Sequence, residues 1–380
     1  MRNRPHILNK RALALALFGL VAVAALTGCR GGVRASAWTD LIIEDDVVYV
    51  ADLEQVRALD AESGVVLWSF PDQPNTGSYG PFYTLALAPD EALFVTSEEK
   101  LRGGFFAQPE GVLRALSVVP QEPEGRRELW NFAEAGGDYV GGGAVGEGVV
   151  VFGNGDGSVY ALDVESGALA WQFTTEGRVW ATPLIVDGTV YVASLDHSLY
   201  ALDLQTGAEQ WRFTAEGALA ERPLALDNRL YIGSFDHKLH AIEDGESVWE
   251  IEGQNWFWGT PATDGTSIFA VDVDGNVYAA DAETGDLLWE SQVNDLVHLG
   301  PVVTEDGHML LVASNNGTLY GLDTSDGVVL WSKPGDGQLA SMTVDGEYIY
   351  VTRINAEERV QAFYAENGRN LWAFSPSESE

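Results

Sequence analysis

The sequence predicts an all-β fold, an eight-bladed β-propeller of four-stranded antiparallel blades, on three observations. Tryptophan recurs at a nearly fixed step: Trp68, Trp130, Trp171, Trp211, Trp249, Trp289, Trp331 and Trp372 lie 38 to 42 residues apart, except for one step of 62 between the first two. Similar stretches surround them, as in VYALDVESGALAWQF (159–173), LYALDLQTGAEQWRF (199–213), VYAADAETGDLLWES (277–291) and LYGLDTSDGVVLWSK (319–333). The 42 glycines, 12 tryptophans and 13 tyrosines combine turn formers with strand formers. A period near 40 residues with four short strands per unit is the signature of a propeller.

The amino terminus reads as an address. Residues 1–11 carry Arg2, Arg4, Lys10 and Arg11 and no acid, and residues 12–26 form an uncharged apolar run ending at Leu26-Thr27-Gly28-Cys29. This is the pattern of a secretory signal, and its ending resembles a bacterial lipobox. That resemblance implies cleavage before Cys29, a lipid on its thiol and a new amino group often acylated with a fatty acid such as palmitate. Cys29 is the chain's only cysteine, so an intramolecular disulfide and a cysteine-rich metal site are excluded. The alternative is an uncleaved anchor, but the apolar run is shorter than the about 20 residues that cross a bilayer. The expected organisation is a signal peptide over 1–29, a flexible tether over 30–37, the propeller over 38–374 and a tail over 375–380.

Acids outnumber bases 57 to 21, for a net charge of −36. Binding phosphate requires a basic surface, which excludes a nucleic-acid partner. Anionic lipid repels so acidic a chain, so membrane contact is expected through the lipid anchor only, with a monomeric propeller exposed outside the cytoplasm.

Within one repeat the strands are expected at 183–186, 189–194, 198–203 and 208–213. Asp187-Gly188 and Asp196-His197 form the tight turns, with Asp156-Gly157, Asp236-His237, Asp274-Gly275 and Asn316-Gly317 as equivalents of the second. Asp, Asn and Gly suit a type I′ turn, which needs positive φ at both central residues. The eight repeat tryptophans are expected to dock each blade onto the next. Asp203 is expected to accept hydrogen bonds from the following amides and Thr206, and Gly207 to adopt the left-handed conformation. These residues are given a structural role and no chemistry.

The pattern Ala-x-Asp-x-x-(Ser/Thr)-Gly-x-x-x-Trp, as in Ala161, Asp163, Ser166, Gly167 and Trp171, resembles the tryptophan-docking motif of pyrroloquinoline-quinone-type (PQQ-like) propeller repeats. The same repeat builds quinoprotein dehydrogenases and non-enzymatic envelope scaffolds. With the lipobox added, the chain is most similar to the propeller lipoproteins of the outer-membrane β-barrel assembly machinery, which implies eight blades, envelope protein partners and no cofactor. The first blade already accounts for four strands (41–43, 47–50, 56–59, 65–70) and the last ends on its tryptophan, so no strand is left over to close the ring by exchange.

Function must be argued from a site, not from the fold. The loops between blades converge on the channel and vary from copy to copy. They bring Tyr79, Tyr139, Arg178, Trp180, Arg222, Trp256, Phe257, Trp258 and His298. Aromatic residues and Arg dominate binding hot spots, so this face is the expected partner surface for envelope proteins or peptides; the alternative is a water-excluding plug. The blade containing Trp130 is about 20 residues longer than its neighbours, by the repeat spacing, and carries Phe105-Phe106 in a Gly-rich loop. That pair either docks a partner or folds back onto the blade.

A quinoprotein oxidoreductase, with pyrroloquinoline quinone and calcium, is the enzymatic alternative, and a ligand-sensing propeller the third reading. Arg178 or Arg222 would hold the quinone carboxylates and Trp180 or Trp256 would stack on it. No companion set of metal ligands is legible: the six histidines form no H-E-x-x-H pair, and Asp272–Asn276 misses the calcium-loop pattern. The expectation is therefore a non-enzymatic scaffold with no catalytic residue and no metal.

Overall fold

A computed structural model describes residues 40–73, 81–89, 91–99, 110–119 and 127–376. Cys29, Tyr79, Phe105 and Phe106, with the signal and tether segments, lie outside the described residues. The described chain forms 32 strands in eight four-stranded sheets, each a meander in sequence order. The blades span 40–70, 82–132, 143–174, 184–214, 224–252, 262–292, 302–333 and 338–374. Blade 1 comprises Asp40–Glu44, Val47–Ala51, Val56–Asp60 and Val66–Phe70. Blade 4 comprises Leu184–Val186, Thr189–Ala193, Ser198–Asp203 and Glu209–Thr214.

There is no single central core. Eight apolar clusters each join two neighbouring blades; Val151, Val159, Val190 and Leu202, for example, pack blade 3 on blade 4. The second and third strands are buried on both faces, because each blade is covered by a neighbour on either side. The same logic closes the ring. Leu41, Val48 and Leu59 of blade 1 pack against Tyr350, Ala362 and Trp372 of blade 8. Among the described residues the first and last sheets contain only their own strands, so closure there is by side-chain contacts and not by strand exchange.

The repeat tryptophans sit on the fourth strands and reach across to the next blade. Trp130 Nε1 donates to the Val164 carbonyl at 2.9 Å, Trp171 to Leu204 at 2.8 Å and Trp289 to Thr324 at 2.8 Å. Beneath the Trp171 indole lies Gly207, with φ +69°; a Cβ there would stand 2.6 Å from Cε3 of the ring. Gly207 is therefore required twice, for its backbone conformation and for the space it leaves. Asp203 Oδ1 accepts from the Thr206 amide and hydroxyl at 2.8 and 2.6 Å, which fixes that turn. The Arg127 guanidinium stacks over the Trp68 ring at 4.1 Å.

The first hairpin of blade 4 has positive φ at both Asp187 and Gly188, as a type I′ turn requires. The second hairpins differ from the expectation. Only His197, His237, Gly157, Gly275 and Gly317 have positive φ there, and their Asp or Asn neighbours do not. Asn154 N donates to Ser158 O and Gly157 N to Asn154 O. The loop is thus three residues long, with its last residue left-handed, a known alternative to the two-residue turn. It frees the Asp side chain for another role.

Candidate functional site

The Asp of the second hairpin positions the loop between blades. Asp156 Oδ2 accepts from Gly136 N at 3.0 Å and from Tyr160 OH at 2.7 Å. Asp196 repeats this with Glu176 N and Tyr200 OH, both at 2.8 Å. Asp236 does so with Glu216 N at 3.2 Å and His240 Nε2 at 3.0 Å. Each loop is also pinned by backbone bonds, such as Val179 N to Asn154 O and Leu195 N to Arg178 O. Rigid hairpins therefore hold the variable loops in one repeated register.

That register assigns three consecutive residues to three environments. Asp138, Arg178, Trp256 and Leu296 are exposed on the rim. Tyr139, Val179, Leu219, Phe257 and Val297 are buried anchors. Val140, Trp180, Ala220, Trp258 and His298 line the central channel. The partner-surface expectation for Tyr139 and Phe257 is therefore corrected. Tyr139 packs on Phe152 at 5.9 Å and Phe257 on Tyr278 at 5.4 Å, inside blade contacts. An aromatic at the anchor position is core because the adjacent blade closes over it. Arg178 is on the rim, outside the channel.

The channel has a volume of about 560 Å³ and is lined from all eight blades or the loops that lead into them. Its only ionisable lining groups among the described residues are Asp40, Glu221, Arg222 and His298. Burial raises Asp40 to about 6, against hydrogen bonds from the Leu85 and Leu41 amides. Burial raises Glu221 to about 8, and the nearby Asp40 charge adds to this. Burial lowers Arg222 and His298. At neutral pH Glu221 is thus mostly protonated, and Asp40 remains the main negative charge of the channel lining.

Above His298 the aromatic residues gather. Phe235 stacks on Trp256 with centroids 5.1 Å apart and planes at 17°, and lies 5.1 Å from Trp258; Trp258 is 5.2 Å from His298. Phe235 was not among the sequence-based candidates because it sits in a second hairpin, at the position equivalent to Leu195. The result is a rigid aromatic shelf beside the channel mouth, with Trp180 and Arg222 also facing the cavity. Aromatic and Arg side chains present large contact area with few rotors, as protein-binding surfaces require. Among the described residues no three His, Cys, Asp or Glu side chains gather to hold a metal ion.

The chain matches the family described as outer membrane protein assembly factor BamB in three overlapping stretches, residues 109–223, 196–299 and 294–380, together more than half its length. A relative of that name from Bordetella pertussis is 31% identical over 113 residues, 30% of this chain and 28% of its own. One from Yersinia pestis is 28% identical over 124 residues, 30% of this chain and 31% of its own. A tetrathionate hydrolase from Acidithiobacillus ferrooxidans is 25% identical over 144 residues, 34% of this chain and 29% of its own. The chain therefore spans less than a third of the length of these curated relatives. The crystal structure of BamB from Moraxella catarrhalis superposes with a TM-score of 0.66 at 20% identity, covering 83% of this chain and 90% of that one. At such identity the likeness shows the fold.

Proposed function

Since the chain belongs to the family described as outer membrane protein assembly factor BamB, we propose that it is a non-enzymatic propeller scaffold in outer-membrane protein assembly, held to the envelope by a lipid on Cys29. The observation that supports this reading is the aromatic shelf of Phe235, Trp256 and Trp258 beside a channel that holds Glu221 mostly neutral and includes Arg222 in its lining. A peptide or loop of another envelope protein lays apolar side chains on the shelf, and Arg222 offers an unpaired cation for an acidic group of that partner. Eight interlocked blades hold these groups in place, so little ordering is required on binding.

The test is a pull-down from solubilised envelope with the wild type and the Trp180→Ala/Trp256→Ala/Trp258→Ala variant, both shown to be folded. Loss of a wild-type partner in the variant is expected. Equal capture by both removes this face. The competing quinone-dependent oxidoreductase is tested by adding pyrroloquinoline quinone and calcium; dye-linked oxidation of alcohols or sugars would overturn the scaffold reading.

A further inference from the structure

In every blade the fourth strand is the outermost, and among the described residues its far edge pairs with no strand. Every second residue of such an edge turns its N–H and C=O outward, a template for another strand. Natural edges are blunted by charged side chains and bulges. All eight blades here share an irregularity in register between third and fourth strands, so bulging does not distinguish them. Charge does. Blade 4 carries Glu209 and Arg212 on its outer strand, and blade 5 carries Glu246, Glu250 and Glu252.

Blades 1 and 7 lack this protection over one identical hexapeptide, Gly-Val-Val-Leu-Trp-Ser, at residues 64–69 and 327–332. Val65 and Leu67 are 60% and 53% exposed, Val328 and Leu330 55% and 52%, and Val66 and Val329 are exposed between them. No other blade shows three consecutive exposed large aliphatic residues among the described ones. Both hexapeptides also begin at an acidic turn: Asp60 and Glu62 precede the first, and Asp323 and Asp326 the second. Hydrogen bonds from Ser63 and Ser325 hold Asp60 and Asp323 below the usual carboxylate range, so these turns stay charged at neutral pH.

We propose that the outer edges of blades 1 and 7 are two equivalent docking strands for an extended segment of another polypeptide, rich in β-branched residues and basic at its carboxyl end. Added antiparallel, like every strand pair in the blades, the segment extends the sheet by backbone hydrogen bonds and lays apolar side chains on Val65, Leu67, Val328 and Leu330. Its carboxyl end then falls beside the acidic turn, where basic residues complete the match. A second copy of this chain has the same hexapeptide but brings a net charge of −36 against −36, and so is repelled. This surface is independent of the funnel face.

The probe is a synthetic Thr-Val-Thr-Val-Thr-Val-Lys-Lys peptide, titrated calorimetrically into the folded protein. Two equivalents are expected to bind the wild type and one the Leu67→Glu variant. Binding to Leu67→Glu/Leu330→Glu should weaken at least tenfold, with the near-ultraviolet circular dichroism unchanged. A peptide N-methylated at alternate residues should not bind, and the Trp180→Ala/Trp256→Ala/Trp258→Ala variant should bind two equivalents as before. The proposal is overturned by no binding to the wild type, by equal binding to the double variant, by equal binding of the N-methylated peptide, or by peptide-independent dimerisation through these edges.

Discussion

The indole Nε1 of Trp372 donates to the carbonyl of Ala61 at 2.7 Å, across 311 positions of sequence. The same carbonyl accepts from Tyr350 OH at 3.4 Å, and Trp372 covers Gly64, where a Cβ would lie 2.6 Å from its ring. The contact between first and last blades thus uses the same device as Trp130, Trp171, Trp249 and Trp289. The ring has no latch of its own kind.

This contact separates two tryptophans that look alike in sequence. Trp331 Nε1 is buried with no hydrogen-bond partner, whereas Trp372 Nε1 is satisfied. Replacement by Phe keeps most of the apolar packing and removes the N–H. Trp372→Phe should therefore cost about 1 kcal/mol more than Trp331→Phe, since it loses a buried hydrogen bond and leaves the Ala61 carbonyl only the longer Tyr350 contact. Equilibrium urea unfolding of the two variants checks this; equal losses would refute the assignment.

Gly207→Ala and Gly188→Ala form a matched pair. Both glycines have positive φ, +69° and +74°, so both alanines bear the same backbone strain of about 1 kcal/mol. A Cβ at position 188 meets nothing nearer than Glu147 Oε1 at 3.9 Å, but one at 207 strikes the Trp171 ring at 2.6 Å. Gly207→Ala should be the more destabilising by a further 1–3 kcal/mol, a typical range for overpacking. Thermal melts of both variants give the comparison.

Protonation of the channel should tune stability. Glu221 is raised from its ordinary 4.5 to about 8 and Asp40 from 3.8 to about 6. A raised carboxylate makes the folded state bind more protons than the unfolded one, so stability falls as pH rises. For Glu221 the fall spans roughly pH 4.5 to 8, and for Asp40 roughly pH 4 to 6. Glu221→Gln should melt higher than wild type at pH 8 and flatten the curve between pH 6 and 8. A wild-type midpoint that rises over that interval contradicts the sign.

Cys29→Ala should leave a folded propeller and move it from the membrane fraction to the soluble one, or leave its signal uncut. Fractionation with and without detergent reads this directly. A variant with its signal removed that still sediments with membranes would end the lipid-anchor proposal.

The tryptophan period, the blade number and the strands of blades 1 and 4 were legible because each repeat solves the same packing problem with the same residues. Blade 1 matches its expected strands to within a residue or two at each end. The second hairpins were not legible, since Asp-Gly serves equally in a two-residue turn and at the end of a three-residue loop. Tyr139 and Phe257 were misplaced because an aromatic residue in a variable loop carries no mark of which side it faces. Aligning the loops on the tryptophan spacing would have helped. The residue at the Phe257 position is Val179, Leu219 or Val297 in other copies, always apolar, whereas the next position ranges from Ala220 to Trp258.

Distributing the core over eight seams has a consequence for how the chain is made. Synthesis delivers blade 1 first, yet the face formed by Leu41, Val48 and Leu59 is not covered until Trp372 arrives. A chain stopped at any earlier blade has a sticky face at each end. A partly made propeller is therefore an open stack prone to joining its neighbours, and the closing step waits on a contact between the most distant parts of the sequence. The uncovered face of blade 1 is the surface through which such an unfinished chain would meet its neighbours.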